Sequence, residues 1–432
     1  MDHPPEKTSD PRAVPLKREL GLLEVTLSGV GIILGAGVYV LIGEAAGLAG
    51  NAVWIAFALA ALIAIFTGLS YAELSSLFPT AGAEYDYTQQ AFSRWLAFVV
   101  GIMVILSGVV GASTVALGFS GYLRAFTGLP YLPMAAALIL FLSLLIAWGI
   151  RESAAVAILF TLVEVAGLLG IIAIGFPRLG SVDYLEAPLG LPGVFSAAAL
   201  IFFAYQGFEG IAKLSEETRD PERIIPRGLL LSILITIVLY LLVAVAAVSA
   251  IGWERLSASP APFAEIGGEA WGSEASAVFT LIALFATANT VLLMLLSSSR
   301  ITYGMARSGS LPALFGEVHL TRRTPLYAIA AMGLVSLAFL LLGDIRTVAS
   351  VTNFTIYVTF LVINAAVIAL RFRSPERPRP FRVPLSVRGV PLLPAFGVVV
   401  CLFFLVQLDL FTLGVGALLL LISALAALFS KK

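Results

Sequence analysis

The chain has 432 residues, of which 59% are hydrophobic and 12% charged, and its 26 basic and 26 acidic residues cancel. Soluble domains carry about 25% charged residues, so this composition, with a mean hydropathy of +1.01, excludes a string of ordinary soluble domains. A single cysteine (Cys401) and two histidines (His3, His319) exclude an internal disulfide and a CxxC motif, argue against a metal-dependent membrane enzyme, and the charge balance gives no sign of a nucleic-acid partner.

Residues 1–20 form a polar tail with Pro4, Pro5, Pro11 and Pro15, unlike the basic-then-apolar order of a signal peptide. The first apolar run is therefore expected to stay in the mature protein. Apolar runs of about 20 residues are long enough to cross a bilayer as helices. Twelve are predicted, at 22–46, 51–77, 95–121, 131–149, 153–175, 193–212, 227–251, 275–303, 326–342, 349–370, 391–409 and 411–429. The last two are separated by a tight hairpin.

Span 1 holds the string SGVGIILGAGVYV, with Gly29, Gly31, Gly35 and Gly37. Glycine weakens a helix by roughly 1 kcal/mol relative to alanine, so a break is expected here. Glu73, near the end of span 2, and Glu44, near the end of span 1, read as interfacial. Span 5 carries Glu164 at its centre, and Ala157, Thr161, Glu164 and Gly167 share one small, polar helix face. An ionised carboxyl group at membrane depth is costly and marks a functional position. Three roles are open for Glu164: proton carrier, sodium ligand, or structural hydrogen bonder.

Span 6 contains FFAYQGFEG, in which Gly207 and Gly210 flank Glu209. Glu209 reads either as an anchor protonated during a transport cycle or as a static cap on freed N–H groups. Spans 1 and 6 are the first helices of two five-helix units. Because five is odd, the second unit enters the membrane from the other side, as in an inverted repeat. Interrupted helices at matching places in two halves point to a transporter's midplane site. Half-helix N-termini suit a carboxylate, and unwound carbonyls suit an ammonium group or a cation. The blander reading of each glycine cluster is close helix packing.

Span 8 brings Asn289, Ser298 and Ser299, and span 10 brings Asn353. The asparagines read as contacts between helices, with Asn289 also a candidate pocket residue. The segment 371–390 is rich in Arg and Pro and reads as a basic cytoplasmic loop. With the N-terminus placed in the cytoplasm, 22 of the 26 Lys and Arg fall on the inner side, and only Arg124, Arg178, Arg255 and Arg346 on the outer. This asymmetry sets both termini in the cytoplasm. The loop ions Glu216, Glu217, Arg219, Arg223 and Arg227 read as a solvated loop or as part of an inner gate.

Several strings, in this order, resemble the amino acid–polyamine–organocation superfamily of transporters. They are GIILGAGVYVLIG at 31–43, YAELSSLFPTAGAEYDYTQQAF at 71–92, FFAYQGFEG at 202–210, EETRDPERIIPRG at 216–228, SSSRITYGMARSGSLP at 297–312 and RPRPFRVPL at 377–385. The resemblance covers nearly the whole chain. It implies an all-α membrane protein of about twelve helices, with a five-plus-five inverted repeat, broken helices 1 and 6, and two extra C-terminal helices. The implied units are 21–176 and 192–371, then the loop 372–390 and helices 11 and 12 in 391–432.

The resemblance further implies alternating access by an amino acid permease of the plasma membrane. The substrate carboxylate would meet N–H groups near Gly35, Ala36 and Gly37. The amino group would meet carbonyls near Ile33, Phe203 and Gln206, with Ala204, Tyr205 and Gly207 in the same break, and Phe203 would cover the substrate from outside. Many proton-coupled members resemble one another in a lysine at the position of Glu164, so their lysine mechanism does not carry over. Ser298 and Ser299 match the family's second cation site. The expectation is proton-coupled symport of a neutral amino acid, with no cofactor and with sodium as the alternative coupling ion. An exchanger or a carrier of cationic amino acids or polyamines is the rival. A sensor should bring a sizeable soluble domain and an enzyme a cluster of His, Cys or paired acids, and neither feature is in the sequence. Neither the particular amino acid nor the oligomeric state is legible.

Overall fold

Runs of Ala, Leu, Ile and Phe without charge leave the backbone one local way to satisfy its hydrogen bonds in lipid, the α-helix. A computed structural model of the chain describes residues 18–80, 82–149, 154–319, 322 and 324–429, with backbone alone at 154–158 and 429. Ala157 therefore lies outside the described side chains.

The helices are α1 (Leu22–Leu34), α2 (Gly37–Ala49), α3 (Val53–Leu77), α4 (Ala83–Ala91), α5 (Arg94–Thr127), α6 (Tyr131–Trp148), α7 (Ala154–Gly175), α8 (Gly190–Ile201), α9 (Glu209–Ala212), α10 (Pro221–Ala258), α11 (Pro262–Trp271), α12 (Ser273–Arg307), α13 (Leu326–Phe339), α14 (Ile345–Arg373), α15 (Leu392–Val406) and α16 (Leu410–Phe429). Among the described residues the sheet is confined to one hairpin, β1 (Ser386–Val387) against β2 (Val390–Pro391).

Nine segments among the described residues are long and apolar enough to cross a membrane, and Leu22–Leu34, Leu326–Leu342 and Leu392–Val406 are shorter apolar helices. The 41-residue segment Gly37–Leu77 holds the second half of the first crossing and the whole of the second. With α1 and α2 taken as two halves of one crossing, the twelve predicted spans all have helical counterparts. This is an all-α, multi-pass membrane fold. Helix α5 runs longer than predicted, at 34 residues, because its polar end stays helical, and α10 starts earlier than predicted at Pro221 but is kinked at Gly252 (φ +74°, ψ 160°), near the predicted end of the span. The tight hairpin between α15 and α16 closes on Asp409, whose carboxylate accepts from the Thr412 N–H at 2.9 Å and the Thr412 hydroxyl at 2.6 Å.

Inside lipid there is little hydrophobic drive between helices, so small residues and buried hydroxyls and amides hold them together. Ser113 on α5 donates to the Ser336 carbonyl at 2.8 Å, and Ser336 on α13 donates back to the Val109 carbonyl at 2.7 Å. Asn364 on α14 accepts from Ser70 at 2.6 Å and donates to Thr67 at 2.9 Å, both on α3.

Glu73 lies near the end of α3, as expected, but it is not solvated there. Its side chain is 1% exposed, because the loop after α14 folds back over the end of α3. Arg371 donates to both carboxylate oxygens, at 2.7 and 2.6 Å. Arg379 adds a third bond at 3.1 Å and the Val383 N–H a fourth at 2.8 Å. Arg377 stacks over the Phe78 ring at 4.3 Å. Part of the Arg-rich stretch is thus built into the fold. At the other end of the bundle Glu44 is half-buried and lines a cavity of about 160 Å³ with Tyr131, Ser257 and Ser259.

Candidate functional site: two interrupted helices and a buried acid

The first crossing stops being helical at Gly35 and Ala36, between α1 and α2. The sixth leaves α8 through a 3-10 turn at Phe202–Tyr205 and resumes at α9. Between them Gln206 is extended, with ψ 153°, and Gly207 has φ +114°. Only glycine tolerates that φ without strain, and a Cβ there would lie 2.7 Å from the Ile32 carbonyl oxygen. The two interruptions touch: a Cβ on Gly37 would stand 2.5 Å from the Ala204 Cα. Thus the glycines both free the backbone and let the two freed stretches meet.

Most residues of the two breaks are buried, while Gly35 and Gly207 are partly exposed. Ala36 is 0% exposed, Ile33 and Phe203 3%, Ala204 and Tyr205 1%, and Gln206 8%. Buried peptide groups need partners, and three side chains distant in sequence supply them. Tyr240 on α10 places its hydroxyl 3.0 Å from the Ile33 carbonyl, 3.2 Å from that of Leu34 and 3.0 Å from that of Ala204. One proton shared among three acceptors ties the breaks to each other. Asn353 on α14 donates to the Ala199 and Leu200 carbonyls at 2.7 and 2.8 Å and accepts from the Gln206 amide at 2.6 Å. Thr290 on α12 accepts from the Ala36 N–H at 3.0 Å.

Glu209 turns back on its own break and accepts from the Gly207 N–H at 2.9 Å. At the end of this crossing Lys213 lies 3.7 Å from Glu84, which in turn accepts from the Tyr71 hydroxyl at 3.2 Å. A short parallel bridge between Leu20 and Thr218 joins the start of α1 to the segment after α9, so the two broken crossings are also tied at that end. The loop residues Glu216, Glu217, Arg219, Arg223 and Arg227 are exposed.

Glu164 on α7 is 3% exposed. Its carboxyl group meets the Asn289 side chain, while its Oε1 and the Asn289 Oδ1 are buried without a hydrogen-bond partner. Tyr39 on α2 donates to the Glu164 backbone carbonyl at 2.7 Å, which sets α7 directly against the second half of the first crossing. The Tyr205 hydroxyl in the sixth-crossing break and the Thr236 hydroxyl on α10 are likewise buried and unpartnered.

The structure does not bring Ser298 and Ser299 to this acid. Ser298 points its hydroxyl at the Ile105 carbonyl of α5, 3.4 Å away, and Ser299 bonds the Leu296 carbonyl of its own helix at 2.8 Å. Asn289 precedes Ser298 by nine positions, roughly 13 Å along a helix at 1.5 Å per residue. Among the described residues no group of three His, Cys, Asp or Glu side chains is placed to hold a metal ion. Ile33, Gly35, Ala36, Gly37, Phe203, Ala204, Tyr205, Gln206 and Gly207 do lie together at the two breaks, and Asn289 lies beside Glu164.

Sequence reasoning missed Tyr240 and Thr290 and did not link Asn353 to the breaks. Tyr240 sits in the apolar run VLYLLVAV, where a lone hydroxyl was the only signal. Thr290 bonds a residue 254 positions away, a pairing no local pattern encodes.

Two interrupted crossings that meet inside a bundle of apolar helices, beside a buried acid, are the architecture of a membrane permease. The chain belongs to the amino acid permease family, whose sequence model matches residues 20–420. It is 31% identical to the branched-chain amino acid permease of Bacillus subtilis over 92% of this chain and 90% of that one. It is also 31% identical to the methylthioribose transporter of the same organism, over 91% and 89% of the two chains. A vacuolar cationic amino acid transporter of Arabidopsis thaliana is 30% identical over 86% of this chain and 65% of its own length. These are membrane permeases and not enzymes, and the fold agrees with a transporter of small organic solutes.

Proposed function

We propose that this protein is a secondary active permease that imports a neutral amino acid with a proton, by alternating access around the two breaks. It sits in the cytoplasmic membrane with both termini inside, and its two five-helix units rock against each other. The observation that carries this reading is the meeting of the two interruptions at Gly37 and Ala204, with most residues of both buried around them. The amino acid carboxylate takes N–H groups at the start of α2, and the ammonium takes carbonyls near Ile33, Phe203 and Gln206. Half-helix polarity favours that direction. Phe203 and Tyr205 supply apolar surface for the side chain. Glu209 turns one carboxylate oxygen to the Gly207 N–H of its own break. The likeness to a branched-chain permease agrees with a neutral substrate.

The coupling proton rides on Glu164. A charge there would leave Oε1 buried without a donor, and unpaired buried charges are strongly destabilising. Glu164 therefore crosses the membrane phase of the cycle as a neutral acid, and releases its proton when water reaches it from the cytoplasmic side.

The test is uptake into proteoliposomes with an imposed proton gradient, after a melting screen over the standard amino acids in detergent. A ligand that binds the folded state raises its apparent stability. Accumulation driven by an acidic outside, lost in Glu164→Gln, supports the reading. Uptake that needs internal amino acid and ignores both pH and sodium would instead make the protein an exchanger.

A further inference from the structure

The Ala36 N–H is one of the groups at the first break that would meet a substrate carboxylate, yet it already has an acceptor of the protein's own. We propose that Thr290 is a built-in occupant of the carboxylate subsite: its hydroxyl holds the Ala36 amide until an α-amino carboxylate displaces it. This rests on reading the breaks as the amino acid site, and it goes further by naming the residue that a substrate carboxylate must displace.

The geometry fits a competing ligand. The Thr290 hydroxyl gives its own proton to the Ala286 carbonyl at 2.9 Å, one turn back on α12. Its oxygen therefore faces Ala36 as an acceptor only, at 3.0 Å. It presents one neutral oxygen where a carboxylate presents a charged one. Hydrogen bonds to an ionised acceptor are roughly twice as strong as neutral ones, so the carboxylate wins the exchange, and a solute without one does not. The contact is close by construction: a Cβ on Gly35 would lie 3.0 Å from the same hydroxyl. The preceding residue, Asn289, meets the Glu164 carboxyl group. Neighbouring positions of α12 thus hold the amide at the first break and the acid on α7.

The experiment measures binding to the purified full-length protein, with the twenty standard L-amino acids as probes. For each that binds wild type, the probe is paired with the amine left by removing its carboxylate, such as 3-methylbutylamine for leucine. In Thr290→Val the shape is kept and the acceptor removed, so the amide is left unsatisfied until substrate arrives. Amino acid affinity is expected to rise about five- to tenfold, the equivalent of one hydrogen bond. Thr290→Ser keeps the acceptor and should bind like wild type. Thr290→Cys, with a weak acceptor, should fall between and serves if the valine variant does not fold. Amine binding should be the same in all of them. Equal or weaker amino acid binding in both Thr290→Val and Thr290→Cys would overturn the inference, as would an equal gain for the amines. If wild type binds none of the amino acids, the reading of the breaks falls first and this inference with it.

Discussion

The Tyr240 hydroxyl lies 3.0 Å from the carbonyl oxygen of Ile33, at the end of the first half-helix, and equally far from that of Ala204 in the other broken crossing. Its ring packs edge-on against Tyr205 at 5.2 Å and Phe57 at 5.9 Å, so the hydroxyl is held in place by its neighbours. A single side chain from a third helix therefore satisfies carbonyls at both breaks.

Removing that hydroxyl should be costly out of proportion to its size. Tyr240→Phe keeps the ring and leaves buried carbonyls without a donor, a loss of about 1–3 kcal/mol. The expected outcome is a lower melting temperature in detergent and uptake reduced tenfold or more. A variant with wild-type melting and uptake would show that the carbonyls find another donor.

The glycines at the crossing point should tolerate no side chain. Gly37→Ala places a Cβ 2.5 Å from the Ala204 Cα, and Gly207→Ala puts alanine at φ +114°. Both variants should assemble poorly or lose uptake. Gly304, whose added Cβ would meet nothing within 4 Å, is the control. Gly304→Ala sits in the long helix α12 and should be neutral, or more stable by up to about 1 kcal/mol from helix propensity alone.

Glu164→Gln should separate coupling from binding. The amide keeps the size and can still hydrogen-bond to Asn289, but it carries no exchangeable acid proton. Accumulation against a gradient should stop, and the pH dependence of uptake should vanish, while counterflow between amino acid on the two sides persists. Counterflow in proteoliposomes, measured with the outside acidic and then neutral, checks each part.

The ion cluster over α3 should behave as a structural clamp. Glu73 is paired twice, with Arg371 and Arg379, and Arg371 is itself 3% exposed. Breaking a buried pair by removing one partner costs about 3–5 kcal/mol, because the other charge is left uncompensated. Glu73→Ala and Arg371→Ala should each lower the melting temperature sharply. The double variant Glu73→Leu with Arg371→Met should recover part of the loss, since apolar replacement removes both charges together.

Parts of the fold were open to reading because lipid imposes a one-dimensional rule. Each crossing must satisfy its own backbone, so its length and apolar content mark it in the sequence without reference to any other crossing. The breaks at Gly35 and Gly207 were visible for the same local reason, since glycine clusters weaken the helix wherever they occur. The partners of Glu73 were not legible, because hydropathy places it near a span end and says nothing of a loop 298 positions later returning to cover it. Ser298 and Ser299 were grouped with the cation question by resemblance, but helix phase turned Ser298 toward α5.

By itself the sequence determined the number of crossings, where two of them give up helical hydrogen bonding, and that an acid lies at the middle of the fifth. These follow from local composition, which the bilayer reads residue by residue. The tertiary structure alone decided who satisfies the exposed peptide groups: Tyr240 for the carbonyls at both breaks, Asn353 for the end of α8, and Thr290 for the Ala36 amide. Those pairings depend on the rotation and depth of helices packed through small residues, which a string of apolar letters leaves open.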